Sequence, residues 1–162
     1  MRKKVDQIAA FGDKLIGIHD TDRILSLIAD AAKALVGAER CSIFRVDAED
    51  EILWTKLSDG IGRIVIGLDA GVVGATYETK KPQIVNNPYD DARFLSNIDK
   101  KSGYKTKNMI TVPIFDSKRN IMAVLQLLNK KEMDFNDKDL ELLTFFANYV
   151  SGKLELALMS EK

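Results

Sequence analysis

Cysteine and histidine are nearly absent from this chain: Cys41 and His19 are the sole examples in 162 residues. With one cysteine no intramolecular disulfide can form, which points to a reducing compartment. With one histidine, neither a zinc nor a haem site finds enough ligands, so no metal is expected. Net charge is also lacking. Lysine plus arginine and aspartate plus glutamate number 24 each, for a formal charge of zero. No global field then draws the chain to nucleic acid or to a membrane surface. Lys100, Lys101, Lys105 and Lys107 form one basic cluster. Few aromatics are interleaved with it, and a solvated helix face accounts for it better than a phosphate-backbone site. No apolar run reaches membrane-spanning length, and no signal-peptide core opens the chain. These absences predict a cytoplasmic protein with no nucleic-acid and no membrane partner.

What is present suits one domain with a real core. Hydrophobic residues make up 46% and charged residues 30%, proportions of a globular chain rather than a disordered one. Met1, Ile8, Phe11, Leu15 and Ile18 occupy heptad a and d positions and predict a helix over 1–19, weakened by Gly12 and Gly17. Asp20 is a candidate N-cap for a second helix over 22–36, with Gly37 as its stop. The period then drops to two. Strands are predicted at 40–46, 52–57 and 63–67, with a turn at Ser58-Asp59-Gly60. A short helix at 72–79 precedes a brief strand at 83–85. A long connection at 88–107 carries a short helix near 97–104. Strands at 108–115 and 121–129 read as a hairpin, and Asn136 caps a final helix from 137 to about 159. That helix has two apolar stripes. Leu140, Leu143, Ala147, Val150, Leu154 and Ala157 can cover a sheet, while Leu142, Phe146 and Tyr149 are left for a neighbour. Helices flanking a mostly antiparallel sheet make an α+β architecture.

The densest chemistry lies between residues 83 and 130, where small polar groups crowd a short segment between apolar strands. Asp99, Ser102 and Thr106 are spaced by three and four, so on one helix they would share a face. Gly71-Val72-Val73-Gly74 opens a helix whose free N–H groups and positive dipole end can hold an anion without an arginine. Gln126 stands in an apolar strand, where a buried amide needs a partner. Each feature also has a plain alternative. Glycines before a helix serve turns, Asp99 can cap a helix, Ser102 and Thr106 can be surface caps, Ser42 can be an ordinary strand residue, and Asp59 suits a turn.

Several words in order resemble the GAF domains, in particular the regulatory GAF domains of cyclic-nucleotide phosphodiesterases and adenylyl cyclases. They are Ala38-Glu39-Arg40-Cys41-Ser42-Ile43-Phe44 with Asp47, Ser58-Asp59-Gly60, and Gly71-Val72-Val73-Gly74. Asp99 with Ser102-Gly103-Tyr104-Lys105-Thr106, and Val124-Leu125-Gln126 leading to Asn129-Lys130, complete the set. The resemblance implies a central six-stranded antiparallel sheet with helices on both faces, as in PAS-like folds. It implies a GAF domain over 20–159, a terminal signalling or dimerisation helix over 1–19, and an output domain attached in the full-length protein. A small-molecule ligand, such as cyclic AMP or cyclic GMP, would lie on one sheet face under a lid made by the long connection. Ser42 and Asp59 would face its base, the amides of Val72 and Val73 its phosphate, Asp99, Ser102 and Thr106 would line the lid, and Gln126 would stand on the last strand.

The phosphodiesterase branch continues from Asn-Lys to a phenylalanine and then Asp-Glu. Asn129-Lys130, Phe135 and Asp139 are present here, but Leu140 replaces the glutamate. Lys130 and Asp139 are expected to form a structural brace. The resemblance thus implies a non-catalytic sensor that signals through the terminal helices of a homodimer. Two alternatives stand beside it: a ligand-free dimerisation or scaffold module, and, remotely, a free-methionine-sulfoxide reductase. The reductases use several cysteines, and bilin-binding relatives carry theirs in the lid. Cys41 fits neither pattern and has no evident activating base.

Overall fold

The computed structural model describes residues 2–55 and 63–161. Its elements run α1 (Arg2–Leu15), α2 (Thr21–Val36), β1 (Ala38–Asp47), β2 (Ile52–Thr55), β3 (Ile64–Gly67), α3 (Gly71–Thr79) and β4 (Gln83–Val85). After a 3-10 turn at Pro88–Asp90 come α4 (Ser96–Ser102), β5 (Met109–Phe115), β6 (Ile121–Lys130) and α5 (Asp137–Ser160). Boundaries follow local chemistry. Asp20 accepts the Arg23 amide at 3.0 Å to start α2, and Gly37, at φ 67°, ends it in the left-handed conformation. Asn136 and Asp139 exchange side-chain-to-backbone bonds in a capping box that starts α5.

The six strands form one antiparallel sheet in the order β3-β2-β1-β6-β5-β4. The central pair is in register at Ser42 opposite Gln126, and Thr111 of β5 also pairs with Gln126. Pro113 is tolerated in β5 because β4 pairs only with Met109 to Thr111, so no ladder bond is lost on that side.

Alternation along the strands sorts residues onto two faces. One face sends Cys41, Ile43, Ile110, Val112, Ile114, Leu125 and Leu127 into a large core beneath α2 and α5. Helix α1 adds Ile8, Phe11 and Leu15 to that core, with the Phe11 and Phe146 rings 5.6 Å apart. The other face carries α3, α4 and the long connection, over smaller apolar clusters around Phe44 and Val73 and around Val72 and Met109.

The stripes of the terminal helices are used differently from expectation. Leu142 and Phe146 do not wait for a neighbour; they are buried within the chain, together with the heptad residues Ile8, Phe11 and Leu15 of α1. A helix that covers a sheet and also takes another helix on its flank buries more than one stripe. The apolar residues left outside are Phe145, Tyr149, Leu156 and Met159 on α5 and Val5 on α1.

Candidate ligand-binding site

The sheet face away from α2 and α5 forms the floor of a cavity. Alternate residues of β1, Arg40, Ser42 and Phe44, reach it, with Gln126 and Leu128 of β6 and Met109 of β5 beside them. Ile64 and Ile66 of β3 wall one side, and Gly71, Val72 and Val73 at the start of α3 close one end. The roof is the lid: Phe94, Leu95, Ile98, Asp99, Tyr104 and Thr106. Asp59 lies outside the described residues.

The start of α3 is shaped by backbone demands. Gly71 has φ 69°, and a Cβ there would stand 3.1 Å from two carbons of Leu95. A Cβ on Gly74 would lie 2.5 Å from the Asp69 carbonyl carbon, so this glycine serves the turn before the helix rather than close approach of a guest. The N-cap residue Ala70 offers no side-chain bond, which leaves the first-turn amides without a side-chain cap. The far side of α3 is tied to the sheet by a hydrogen bond between the buried hydroxyls of Thr76 and Thr111.

The lid is held by its own polar groups. The Asp99 carboxylate accepts the Thr106 amide at 2.7 Å, the Thr106 hydroxyl at 2.9 Å and the Tyr89 hydroxyl at 2.6 Å. Asp99 and Thr106 do meet at the cavity, but not on a shared helix face: α4 ends at Ser102, Gly103 turns the chain at φ 76°, and Thr106 folds back. Their bonds are made to each other. Ser102 is exposed and absent from the lining; its hydroxyl donates to the Asp99 carbonyl at 3.3 Å and accepts the Tyr104 amide at 3.2 Å, capping the end of α4.

Downstream, Asn129 anchors the lid. At φ 59° it adopts a conformation asparagine tolerates. Its Oδ1 accepts the Lys107 amide at 2.6 Å, and its Nδ2 donates to the Lys105 carbonyl at 2.9 Å. Asn108 accepts the Lys130 amide at 2.9 Å. Lys130 Nζ stands 2.6 Å from Asp139 Oδ2, with both side chains largely buried, joining the end of β6 to the start of α5.

Arg40 and Tyr104 are lining residues that motif reasoning left unassigned. The Tyr104 ring lies over the Arg40 guanidinium at 3.5 Å, and its hydroxyl donates to Glu39 Oε1 at 2.7 Å. Burial, aided by the bond to Glu39, pushes the Tyr104 pKa well above the ordinary 10. The same bond holds Glu39 below the usual carboxylate range. A signal for Arg40 existed: it lies two residues before Ser42 on an alternating strand, hence on the same face.

The cavity is narrow. About 50 Å³ of enclosed space remains, room for a few waters, although the space among the lining atoms reaches about 630 Å³ when the open mouth is included. Sites for drug-sized ligands run to about 300–1,000 Å³. Phe94, Leu95 and Ile98 roof this space, so a nucleotide-sized guest requires the lid to lift. Among the described residues, no group of three or more His, Cys, Asp or Glu side chains could hold a metal ion.

Similarities to known proteins agree with this geometry. The GAF-domain profile matches residues 20–154. A probable 3',5'-cyclic phosphodiesterase, pde-5, of Caenorhabditis elegans is 26% identical over 159 residues, covering 90% of this chain and 22% of that protein. The cGMP-specific 3',5'-cyclic phosphodiesterase of Drosophila melanogaster is 31% identical over 114 residues, 66% of this chain and 10% of that protein. The chain thus spans about a fifth or less of either relative. Among solved structures, the GAF domain of an Acinetobacter phosphoenolpyruvate-protein phosphotransferase superposes with a TM-score of 0.82 at 18% identity, over 98% of this chain and 97% of that one. The free methionine-R-sulfoxide reductase of Neisseria meningitidis gives a TM-score of 0.80 at 16% identity, over 97% and 91%. At these identities the two structures share the fold alone with this chain. The α+β sheet order, the lidded face and the profile match together establish that the chain belongs to the GAF-domain family.

Proposed function

We propose that this GAF domain is a regulatory small-molecule sensor of a signal-transduction protein. The observation that carries the reading is the lidded cavity, where hydrogen-bonding groups from β1 and β6 face the uncapped start of α3. A cyclic nucleotide suits it: the phosphate would take the amides of Val72 and Val73, and the base would lie toward Ser42 and Gln126. Kinship with proteins named as cyclic phosphodiesterases supports the choice of cyclic AMP and cyclic GMP as first candidates. In this reading the described conformation is the contracted one, and binding lifts Phe94, Leu95 and Ile98 off the floor. A ligand moves that equilibrium only by its differential affinity for the two arrangements.

The signal would leave through α5, whose outer face carries Phe145, Tyr149, Leu156 and Met159 at spacings of four, seven and three. That seam would meet a second copy, and the dimer would pass the change to an attached output domain. The reductase reading gains nothing from the geometry, since Cys41 sits in the core beneath α2 and α5 on the face opposite the cavity. The test is thermal denaturation with cyclic AMP, cyclic GMP and a metabolite panel. A true ligand at about 100 times its dissociation constant adds about 2.7 kcal/mol of stability. A flat response to every compound would leave the ligand-free scaffold as the better description.

A further inference from the structure

We propose that the open groove at the end of α5 is a docking surface for a basic amphipathic segment of a partner protein. The groove shares no lining residue with the lidded cavity and does not depend on the sensor reading. It lies between the turn after β1, the turn before β6 and the last two turns of α5, and holds about 640 Å³. That is room for several side chains of a partner, against about 50 Å³ under the lid. Val46, Ile121, Met122 and Leu158 supply apolar lining, and Met159, 60% exposed, adds to it.

Charge selects the occupant. Asp47 and Glu49 on the first turn, Asp116 on the second, and Glu155 and Glu161 on α5 bring five carboxylates to the groove, against the single guanidinium of Arg45. The chain as a whole is neutral, so this is a local concentration of one sign. Arg45 is already paired with Glu161. Asp47, Asp116 and Glu155 accept hydrogen bonds from backbone amides and the Ser117 hydroxyl, neutral donors that leave the charge uncompensated. Lys118 and Arg119 belong to the second turn but do not line the groove; Arg119 lies over the Phe115 ring instead. The last turn of α5 carries no basic residue, so its carbonyl end adds negative potential here. An occupant that covers the apolar lining also desolvates these carboxylates, and must bring cations to offset that cost. A helix with lysines or arginines flanking an apolar stripe meets both demands. A neutral or acidic segment meets only the first.

The test titrates the intact chain with a lysine–leucine peptide of about five helical turns, its leucines on one stripe. Two controls accompany it: a scrambled peptide of the same composition, and a striped one with glutamate for lysine. Calorimetry should show saturable binding of the striped lysine peptide alone, weakened by added salt. Affinity should fall at least tenfold in Glu49→Lys and in Met122→Lys. Glu49 is exposed, so Glu49→Lys should keep the wild-type melting temperature. Equal binding of either control peptide, or wild-type affinity in both variants, overturns the proposal. So does the absence of binding. If, in addition, sedimentation shows wild type pairing with itself and Met122→Lys failing to pair, a second copy covers the groove instead.

Discussion

Single residues here do work that their position in a motif does not announce. Asp99 has the look of a ligand contact, yet its oxygens are consumed by Tyr89 and Thr106. Asp99→Asn would present an NH2 group to donors and should cost about 1–3 kcal/mol. Urea denaturation measures the cost, and a loss of ligand affinity without a loss of stability would instead make Asp99 a direct contact. Lys130 and Asp139 form a pair with 14% and 10% side-chain exposure. Removing one partner strands the other, so Lys130→Met is expected to lose about 3 kcal/mol in the same assay. Part of that loss belongs to α5, because Asp139 also closes the capping box with Asn136.

At the scale of elements, the lid and α3 are joined more closely than their separation in sequence suggests. Leu95 rests against Gly71, so Gly71→Ala both strains a left-handed backbone and presses on the lid. The backbone term alone is about 1–2 kcal/mol, and amide hydrogen exchange should show faster opening over 94–106 than in wild type. The lid also has a pH signature. Tyr104 and Tyr89 have pKa values raised in the folded state, Tyr104 chiefly by burial and Tyr89 by its bond to Asp99. Below pH 10 both tyrosines are protonated in folded and unfolded chains alike. Above about 10 the unfolded chain ionises first, so stability falls as pH rises. Glu39 has the opposite sign. Its lowered pKa stabilises the fold above about 4.5, and that contribution is lost as the pH drops through the folded value. Melting curves from pH 8 to 11 should show a decline that is shallower in Tyr104→Phe; an unchanged slope would detach Tyr104 from the lid's energetics.

For the whole molecule, the question is what the outer face of α5 meets. Leu156 is 67% exposed and Met159 60%. Because Leu156 has little to lose within one chain, Leu156→Glu should leave monomer stability within about 0.5 kcal/mol. If the seam joins two copies, sedimentation will show a wild-type dimer and a Leu156→Glu monomer. Equal sedimentation of both proteins would remove this seam from any signalling route. The Arg45–Glu161 ion pair fastens the end of α5 to β1.

Much of the fold was legible because its determinants are local. Period-two runs placed the strands, Asp20, Gly37 and Asn136 marked helix ends, and the alternation around Ser42 separated the cavity face from Cys41 in the core. Even the Lys130–Asp139 brace could be written down from motif order. Other features depend on groups brought together from distant stretches, and no local pattern encodes them. Only packing decided that the heptad of α1 would be spent on Phe146 inside the chain. A turn at Gly103, not a helix face, brings Thr106 onto Asp99. The hollow is roofed by Phe94, Leu95 and Ile98, and Arg40 Nη1 is buried without a hydrogen-bond partner. Periodicity and caps act over a few residues, whereas burial and hydrogen-bond satisfaction are settled only when the whole sheet and its lid have closed.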